Sequence, residues 1–390
     1  MASVDPTKFT VVAGKKRATR DSQWRARWRT PEGASRSRTF DRKVDAERHL
    51  TTVEGSKVIG AYVDPSAGRV TLAAYVETWK AIQVHRPSTA AQVETNLRRH
   101  VIPQLGHRPI AAIRPSEVQA WVKGRGEELA PATVELVYRY LVAVFRAAMA
   151  DRLIASSPCV GVKLPKAPVR RVDPLPTETV EALLDVIPAR YRALVMLAAG
   201  TGLRQGECLG LTVDRVDFLR RQVRVDRQLV LLPGDGPVFG PPKTAASYRT
   251  VPLPQVVVDS LAAHMAAFPA GPDGLIFTTD KGRAILRTRF SDVWRPAVAA
   301  AGAPEGIGFH ALRHFYASML IRHGESVKVV QDRLGHASAA ETLDTYSHLW
   351  PDSEDRTRAA VDKVLGSEGS TRPISPEHLS AVGQSSTPPS

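Results

Sequence analysis

The chain has 390 residues, 43% of them hydrophobic and 24% charged, a balance that builds buried cores without disulfide support. Its two cysteines, Cys159 and Cys208, exclude a disulfide scaffold and a four-cysteine zinc site, and the lack of a long apolar run speaks against a membrane span or a secretory signal. Lys and Arg number 53 against 39 Asp and Glu, a net charge of +14, and residues 1–50 alone hold 13 basic against 6 acidic side chains, which points to a polyanionic partner, above all nucleic acid.

The length suggests two or three domains. Gln23 to Thr30 alternates, with Trp24, Ala26 and Trp28 on one face and Arg25, Arg27 and Arg29 on the other, which predicts a half-buried strand. Pro31, Glu32 and Gly33 signal a turn, Ser35 to Phe40 a partner strand, and Lys43 to Gly60 a helix. The arginine face can lie along a DNA backbone or simply be solvated. From about residue 70 to 160 the pattern is helical. Leu72, Tyr75, Val76, Trp79 and Ile82 form one stripe, Val93, Leu97 and Val101 a second, and Val134, Val137, Tyr138, Leu141 and Phe145 another. Pro115 and Ser116 mark a further helix start, so four helices in a small bundle are expected. The basic edges Arg98-Arg99-His100 and Lys123 to Arg125 suit phosphate contacts or plain solvation equally.

Leu164 to Pro176 holds four prolines and three basic residues and reads as a semi-rigid linker. Beyond it the pattern is mixed. Thr179 to Ala199 reads as a helix, Gln222 to Leu232 and Val238 to Leu253 as strands joined by a turn at Pro233 to Gly236, and helices return from Val256 to Leu365. The last 25 residues hold seven Ser, four Pro and three Gly and have little to bury, so disorder is expected there. The chain divides into 1–65, 66–163, a linker at 164–176, 177–365 and a tail at 366–390. The expected class is mainly α with small β-sheets, an α+β multidomain protein.

Four short signatures in the third segment carry chemistry. They are AAGTGLRQGECLGL around Arg204, PPKTAASYRTVPLP with Lys243, FHALRHFYAS with His310 and Arg313, and LGHASAAETLDTYSHLW with His336 and Tyr346. Each is weak alone. GTGLRQG lacks the Gly-Lys-Ser/Thr ending of a phosphate loop, and a lone tyrosine is more often packing than nucleophile. His310 and His314, four apart, could share a metal, but neither the glutamate of a zinc-protease motif nor a third ligand accompanies them, so no metal is expected.

Taken together and in this order, the four signatures resemble the tyrosine recombinases, the phage integrase family of site-specific DNA recombinases. The resemblance is strong over the third segment, architectural over the second and looser over the first. It implies a mostly helical catalytic domain with a small sheet, a core-binding helical domain and an arm-binding N-terminal domain. It also implies a site of Arg204, Lys243, His310, Arg313, His336 and the nucleophile Tyr346. Chemistry agrees with the set. An arginine fork binds phosphate oxygens bidentately and stays protonated, so Arg204 and Arg313 can clamp a phosphate without a metal or other cofactor. His310, one helical turn from Arg313, can bond the phosphate and accept the tyrosine proton, and Lys243, on a predicted hairpin, can protonate the leaving 5′ oxygen. The implied intermediate is a 3′-phosphotyrosine, which conserves the bond energy and needs no ATP. Glu207 matches an acidic position read as supporting the arginines rather than touching DNA, and Cys208 is read as a small buried apolar residue.

Two positions depart from the family pattern. Ala311 and Phe315 stand where Asp and Thr are frequent, and Tyr346 lies ten residues after His336, one more than in many members. The implied partners are double-stranded DNA attachment sites and a homotetramer assembled on them, with DNA-bending or directionality factors as further candidates and no membrane partner. The basic first segment favours integration and excision of a mobile element in the bacterial cytoplasm. A type IB topoisomerase, which would relax any plasmid, and a catalytically silent DNA-binding regulator are the rival readings. In residues 354–365, Ala359, Ala360 and Val364 share a helical face that either docks on a neighbouring protomer or packs on its own domain.

Overall fold

The protein is described from a computed structural model covering residues 2–12, 15–19, 22–31, 33–60, 62–64, 66–166, 171–232, 236–350 and 354–365. It forms two compact units, residues 1–169 and 170–390. The glutamate of the expected Pro31–Gly33 turn, the centre of the 233–236 turn, part of the linker and the whole tail lie outside the described residues.

The first unit opens with β1 (Ser3–Pro6), β2 (Phe9–Val12), β3 (Lys15–Ala18), β4 (Trp24–Arg29), β5 (Ser35–Phe40) and α1 (Lys43–Val58). The sheet runs β1-β4-β5, antiparallel throughout, and β2 pairs with β3 as a separate ribbon. The period of two holds along β4. Ala26 and Trp28 are buried under Ala46, Leu50 and Val53 of α1, and Trp28 Nε1 donates to the Tyr62 hydroxyl at 2.8 Å. Arg25, Arg27 and Arg29 are exposed and lie opposite Thr39, Ser37 and Ser35 of β5. At four residues each, β1 to β3 are too short to show an alternation that could be read from sequence.

The helical part follows as α2 (Leu72–Ala81), α3 (Pro87–Asn96), α4 (Ile102–Leu105), α5 (Pro115–Glu128) and α6 (Pro131–Ala150). Three of these helices begin on proline, whose missing N–H costs nothing in a first turn. Thr71 caps α2 by accepting from Ala74 N–H. Between α3 and α4 one wide π-turn, Leu97–Val101, lets Ile102 N–H reach back to Leu97 O. It keeps Leu97 and Val101 inside and Arg98 and Arg99 outside. The expected stripes form one core around Trp79, Leu97, Trp121, Leu141 and Phe145, and Ile82, past the end of α2, is exposed. Trp121 Nε1 donates to His100 O at 2.7 Å.

The second unit contains α7 (Thr177–Val186), α8 (Ala189–Thr201), α9 (Gln205–Leu209), β6 (Val216–Asp217), β7 (Gln222–Val225), β8 (Gln228–Leu232), β9 (Gly236–Gly240), β10 (Arg249–Pro252), α10 (Gln255–Ala267), α11 (Arg287–Ala300), α12 (Ala311–Arg322), α13 (Val327–Leu334), α14 (Ala339–Tyr346) and α15 (Glu354–Leu365). The helix expected over Thr179 to Ala199 is two helices. Pro188 holds Ile187 extended and cannot continue the ladder. Each long strand expected after it is likewise two. β7 joins the sheet β10-β7-β6, whereas β8 and β9 form their own antiparallel ribbon. The break in the first falls at Asp226, drawn away to Arg215, and in the second at Pro241-Pro242, which lack ladder donors. The helical run from Val256 is interrupted between α10 and α11 by a stretch rich in Pro and Gly. α8 runs through the middle of the core, packed on α10 and α12, and α12, α13 and α14 close a smaller cluster around Tyr316, Leu334 and Tyr346.

Candidate active site

The four signatures converge because two helices end beside each other. α8 stops at Gly202, whose φ of 65° is left-handed and where a Cβ would come within 2.5 Å of the Tyr316 ring. α13 stops at Gly335, again at φ 65°, where a Cβ would meet Ala246 O at 2.9 Å. A helix C-terminus leaves carbonyls unpaired and carries partial negative charge. Here those carbonyls hold arginines. Arg313 Nη1 donates to Gly202 O at 2.7 Å and Nη2 to Leu334 O at 2.6 Å. Arg204 Nη2 donates to Gly335 O at 3.1 Å, and Arg249 Nε to Arg333 O at 2.8 Å. Three successive carbonyls at the end of α13 thus anchor three guanidinium groups.

Glu207 is the anion of this cluster, with its side chain 2% exposed. It accepts from Arg204 N–H and Nη1 at 2.9 and 3.1 Å, and from Arg249 Nη2 and Nη1 at 2.8 and 3.2 Å. Burial opposes its ionisation more than any single partner favours it, but the bonds and charges of Arg249 and Arg204 together hold its carboxyl below the usual range. Three cations share one carboxylate, so the cluster is two charges short of neutrality. Arg204 spends three N–H groups on Glu207, Gly335 and the Ser247 hydroxyl, the last at 3.1 Å, and Arg313 spends two. Since a guanidinium carries five, donors remain on both for an oxyanion. Arg313 is 2% exposed, and burial and then Arg204 pull its pKa down, yet it stays protonated at neutral pH.

Tyr346, the last residue of α14, is 1% exposed. Burial pushes its phenol up to about 12, with Arg313 acting against that rise. Its hydroxyl lies 2.7 Å from His314 Nδ1, not on His310 as the sequence reading had it. The reason is helical position. His310 is the N-cap residue of α12, whereas His314 is one turn in and faces α14. The two imidazoles meet edge to face with centroids 4.8 Å apart. His310 is exposed on one side, and loss of solvation, then His314, Arg313, Arg204 and Arg287, lower its pKa to about 4. His336 is buried and stacks parallel to the Tyr346 ring at 6.4 Å, and its Nδ1 lies 2.8 Å from the Thr342 hydroxyl. Burial first, then Arg313, bring it down to about 4.

Lys243 stands apart from the expectation. It follows the end of β9 and the Pro241-Pro242 break, in an exposed loop rather than on the hairpin. That loop is tied to the cluster by the Thr244 hydroxyl, 2.9 Å from Ser247 Oγ. Ala311 and Phe315, the two departures from the family pattern, pack against the core. Cys208 is fully buried and its thiol is pushed up by burial. Arg25, Arg27, Arg29, Arg98 and Arg99 belong to the first unit, are exposed and take no part in this cluster. Sequence reasoning missed Arg249, Ser247 and Thr342. Arg249 was in view within SYRTVPLP, but the partners that tie it to the site, Glu207 and Arg333, are 42 and 84 residues away. A groove lined by Gln205, Arg287, Ser291, Arg295 and Phe309 opens beside the site. Among the described residues no His, Cys, Asp and Glu side chains gather as a metal-holding group, and no helix is long and apolar enough to cross a membrane.

Residues 174–352 match the phage integrase family and residues 70–163 the phage integrase central domain. The chain is 30% identical over 281 residues to the integrase of Mycobacterium phage FRAT1, covering 70% of this chain and 82% of that one. It is 26% identical over 362 residues to a putative prophage phiRv2 integrase of Mycobacterium tuberculosis, covering 90% and 95%. In fold it is similar to the Tn1549 transposon integrase, solved with a circular intermediate DNA, at a TM-score of 0.66 and 22% identity over 76% of this chain and 99% of that one. The chain belongs to the phage integrase family and is a tyrosine recombinase, a site-specific enzyme that cuts and rejoins DNA.

Proposed function

We propose that this recombinase integrates and excises a mobile element at specific attachment sites in bacterial DNA in the cytoplasm, through Tyr346. Arg204 and Arg313 clamp the scissile phosphate with the donors left over from their carbonyl anchors, and His310 and His336 add contacts. The Tyr346 oxygen attacks phosphorus, the 5′ oxygen leaves with a proton from Lys243, and a 3′-phosphotyrosine forms. A 5′ hydroxyl from another strand reverses the step and exchanges the strands. The carrying observation is that a buried tyrosine hydroxyl lies within the electrostatic reach of Arg313, in a cluster of anchored arginines with spare donors that Glu207 leaves two negative charges short of neutrality.

The division of labour follows the chain. Residues 177–365 catalyse, 66–163 bind the crossover core with Arg98 and Arg99 as phosphate contacts, 164–176 link them, and 1–65 bind separate arm sites. The row Arg25, Arg27 and Arg29, flanked by the hydroxyl residues of β5, supports that last role because it offers regularly spaced cations to a phosphate backbone. A lambda integrase, similar to this chain in fold at a TM-score of 0.55 and 19% identity, was solved as a tetramer bound to a Holliday junction, and we carry the tetramer over to this chain. DNA-bending and directionality factors are further candidate partners.

The test is a nicked suicide substrate. Wild-type protein should give a covalent adduct in EDTA and without ATP, because arginines bear the phosphate charge. Tyr346→Phe should bind DNA and give none. A 3′-linked adduct from Tyr346→Phe would overturn the nucleophile, and relaxation of any plasmid irrespective of sequence would overturn site-specific integration.

A further inference from the structure

We infer that His314 is the general base of the cleavage step: its Nδ1 takes the proton from the Tyr346 hydroxyl during attack and returns it when the strand is resealed. The inference rests on Tyr346 being the nucleophile. A general base must lie within about 2.6–3.2 Å of the proton-bearing atom, and the Nδ1 to Oη distance is 2.7 Å. At 1% exposure the hydroxyl has little access to water, so its proton needs a protein acceptor. His336 lies parallel to the phenol ring rather than at its hydroxyl, and its own Nδ1 is engaged by Thr342. His310 faces the edge of His314 and the clamp.

The charges around the pair favour the right protonation states. His314 shares α12 with His310 and Arg313. Tyr346 faces it from α14, where Glu341 also acts on the phenol. Arg204, ahead of α9, and Arg287, on α11, act on the neighbouring His310. Burial, then Arg313, hold His314 below its ordinary range, so at neutral pH it is an uncharged imidazole. With its proton on Nε2, Nδ1 accepts the phenolic hydrogen bond. In the step itself the Oη–H bond breaks, the Oη–P bond forms and the P–O5′ bond breaks. The phenolic proton goes to Nδ1, and the 5′ oxygen takes its proton from the Lys243 ammonium. Resealing runs these transfers backward, and no further reactant is needed.

The experiment measures single-turnover adduct formation by the full-length protein on the suicide substrate, from about pH 5.5 to about pH 9.5. Wild type is compared with His314→Asn, which keeps an acceptor near the position of Nδ1 but cannot take a proton, and with His314→Ala. Loss of a general base slows a reaction by about 10²–10⁴-fold, and that loss is expected for both variants at neutral pH, with DNA binding unchanged. The wild-type rate should be level at neutral pH and fall in acid, at a pH below the ordinary imidazole value of about 6.5. Both variants should instead keep rising with pH and narrow the gap, and imidazole in the buffer should restore part of the His314→Ala rate. Adduct formation at or above the wild-type rate would mean that His314 merely holds the hydroxyl back. A uniform slowing at every pH with no response to imidazole would mean that it only positions the ring. Either result overturns the inference. If neither variant folds, His314→Gln, nearer the imidazole in size, takes their place, and adduct formation at the wild-type rate at neutral pH overturns the inference. An adduct persisting in Tyr346→Phe strikes the nucleophile assignment instead, so the two failures are distinguishable.

Discussion

Replacing Glu207 with glutamine tests whether the arginine cluster depends on one buried anion. Its two oxygens accept four hydrogen bonds, two from Arg204 and two from Arg249, and Arg249 is itself only 6% exposed. Glutamine has nearly the same shape, but its NH₂ faces two N–H donors whichever way the amide is turned. Two charge-assisted bonds worth about 1.5–3 kcal/mol each are lost, and a buried guanidinium is left without a counter-charge. Removing one partner of a buried ion pair costs about 3–5 kcal/mol, and we expect that range here. For a unit of this size each kcal/mol lowers the Tm by about 2–4 °C, so thermal melting should show a drop of about 6–20 °C. Because the folded state holds the Glu207 carboxyl below its ordinary range, its contribution is present above about pH 4.5 and is lost as the pH falls. The gap between wild type and variant must therefore close in acid. Adduct formation, measured below both transitions, should also fall as Arg204 loses its support. A Tm change under about 2 °C at neutral pH would refute this reasoning.

Three further outcomes are expected. Changing Arg25, Arg27 and Arg29 together to alanine should leave the melting transition in place, since all three are exposed. On DNA carrying arm sites it should lower the salt-dependence slope of binding by up to about 2.7, at 0.9 per phosphate contact, and an unaltered slope would exclude the arm role. Gly335→Ala places a Cβ at φ 65° and within 2.9 Å of Ala246 O, so it should cost at least about 1–2 kcal/mol in a denaturant titration and slow cleavage. His336 is buried uncharged with a pKa of about 4 against an ordinary 6.5, so the unfolded chain binds its proton first. Stability that is full above pH 6.5 should thus fall toward about pH 4, and His336→Asn should flatten the decline in a series of melting curves.

What could be read without coordinates was local. The stripes that became α2, α3 with its π-turn, and α6, the proline that opened α5, and the alternation that buried Trp28 and exposed Arg27 are all patterns within one or two turns or pleats, and each of the four signatures is a short local run. A period of 3.6 or 2 says which face of an element is apolar. It does not say which distant group that element will meet. The sequence placed His310 and Arg313 one turn apart, and Pro188 stood in view inside the helix it divides. Neither could show that the Tyr346 hydroxyl turns to His314, 32 residues away, or that Glu207 is shared with Arg249. Nor could any local pattern show that the end of α13 holds Arg204 from 131 residues away. The tertiary structure decided these contacts. An orphan carbonyl, a buried carboxylate or a phenol removed from water must find its partner among the groups that packing brings near, and packing is a property of the whole core.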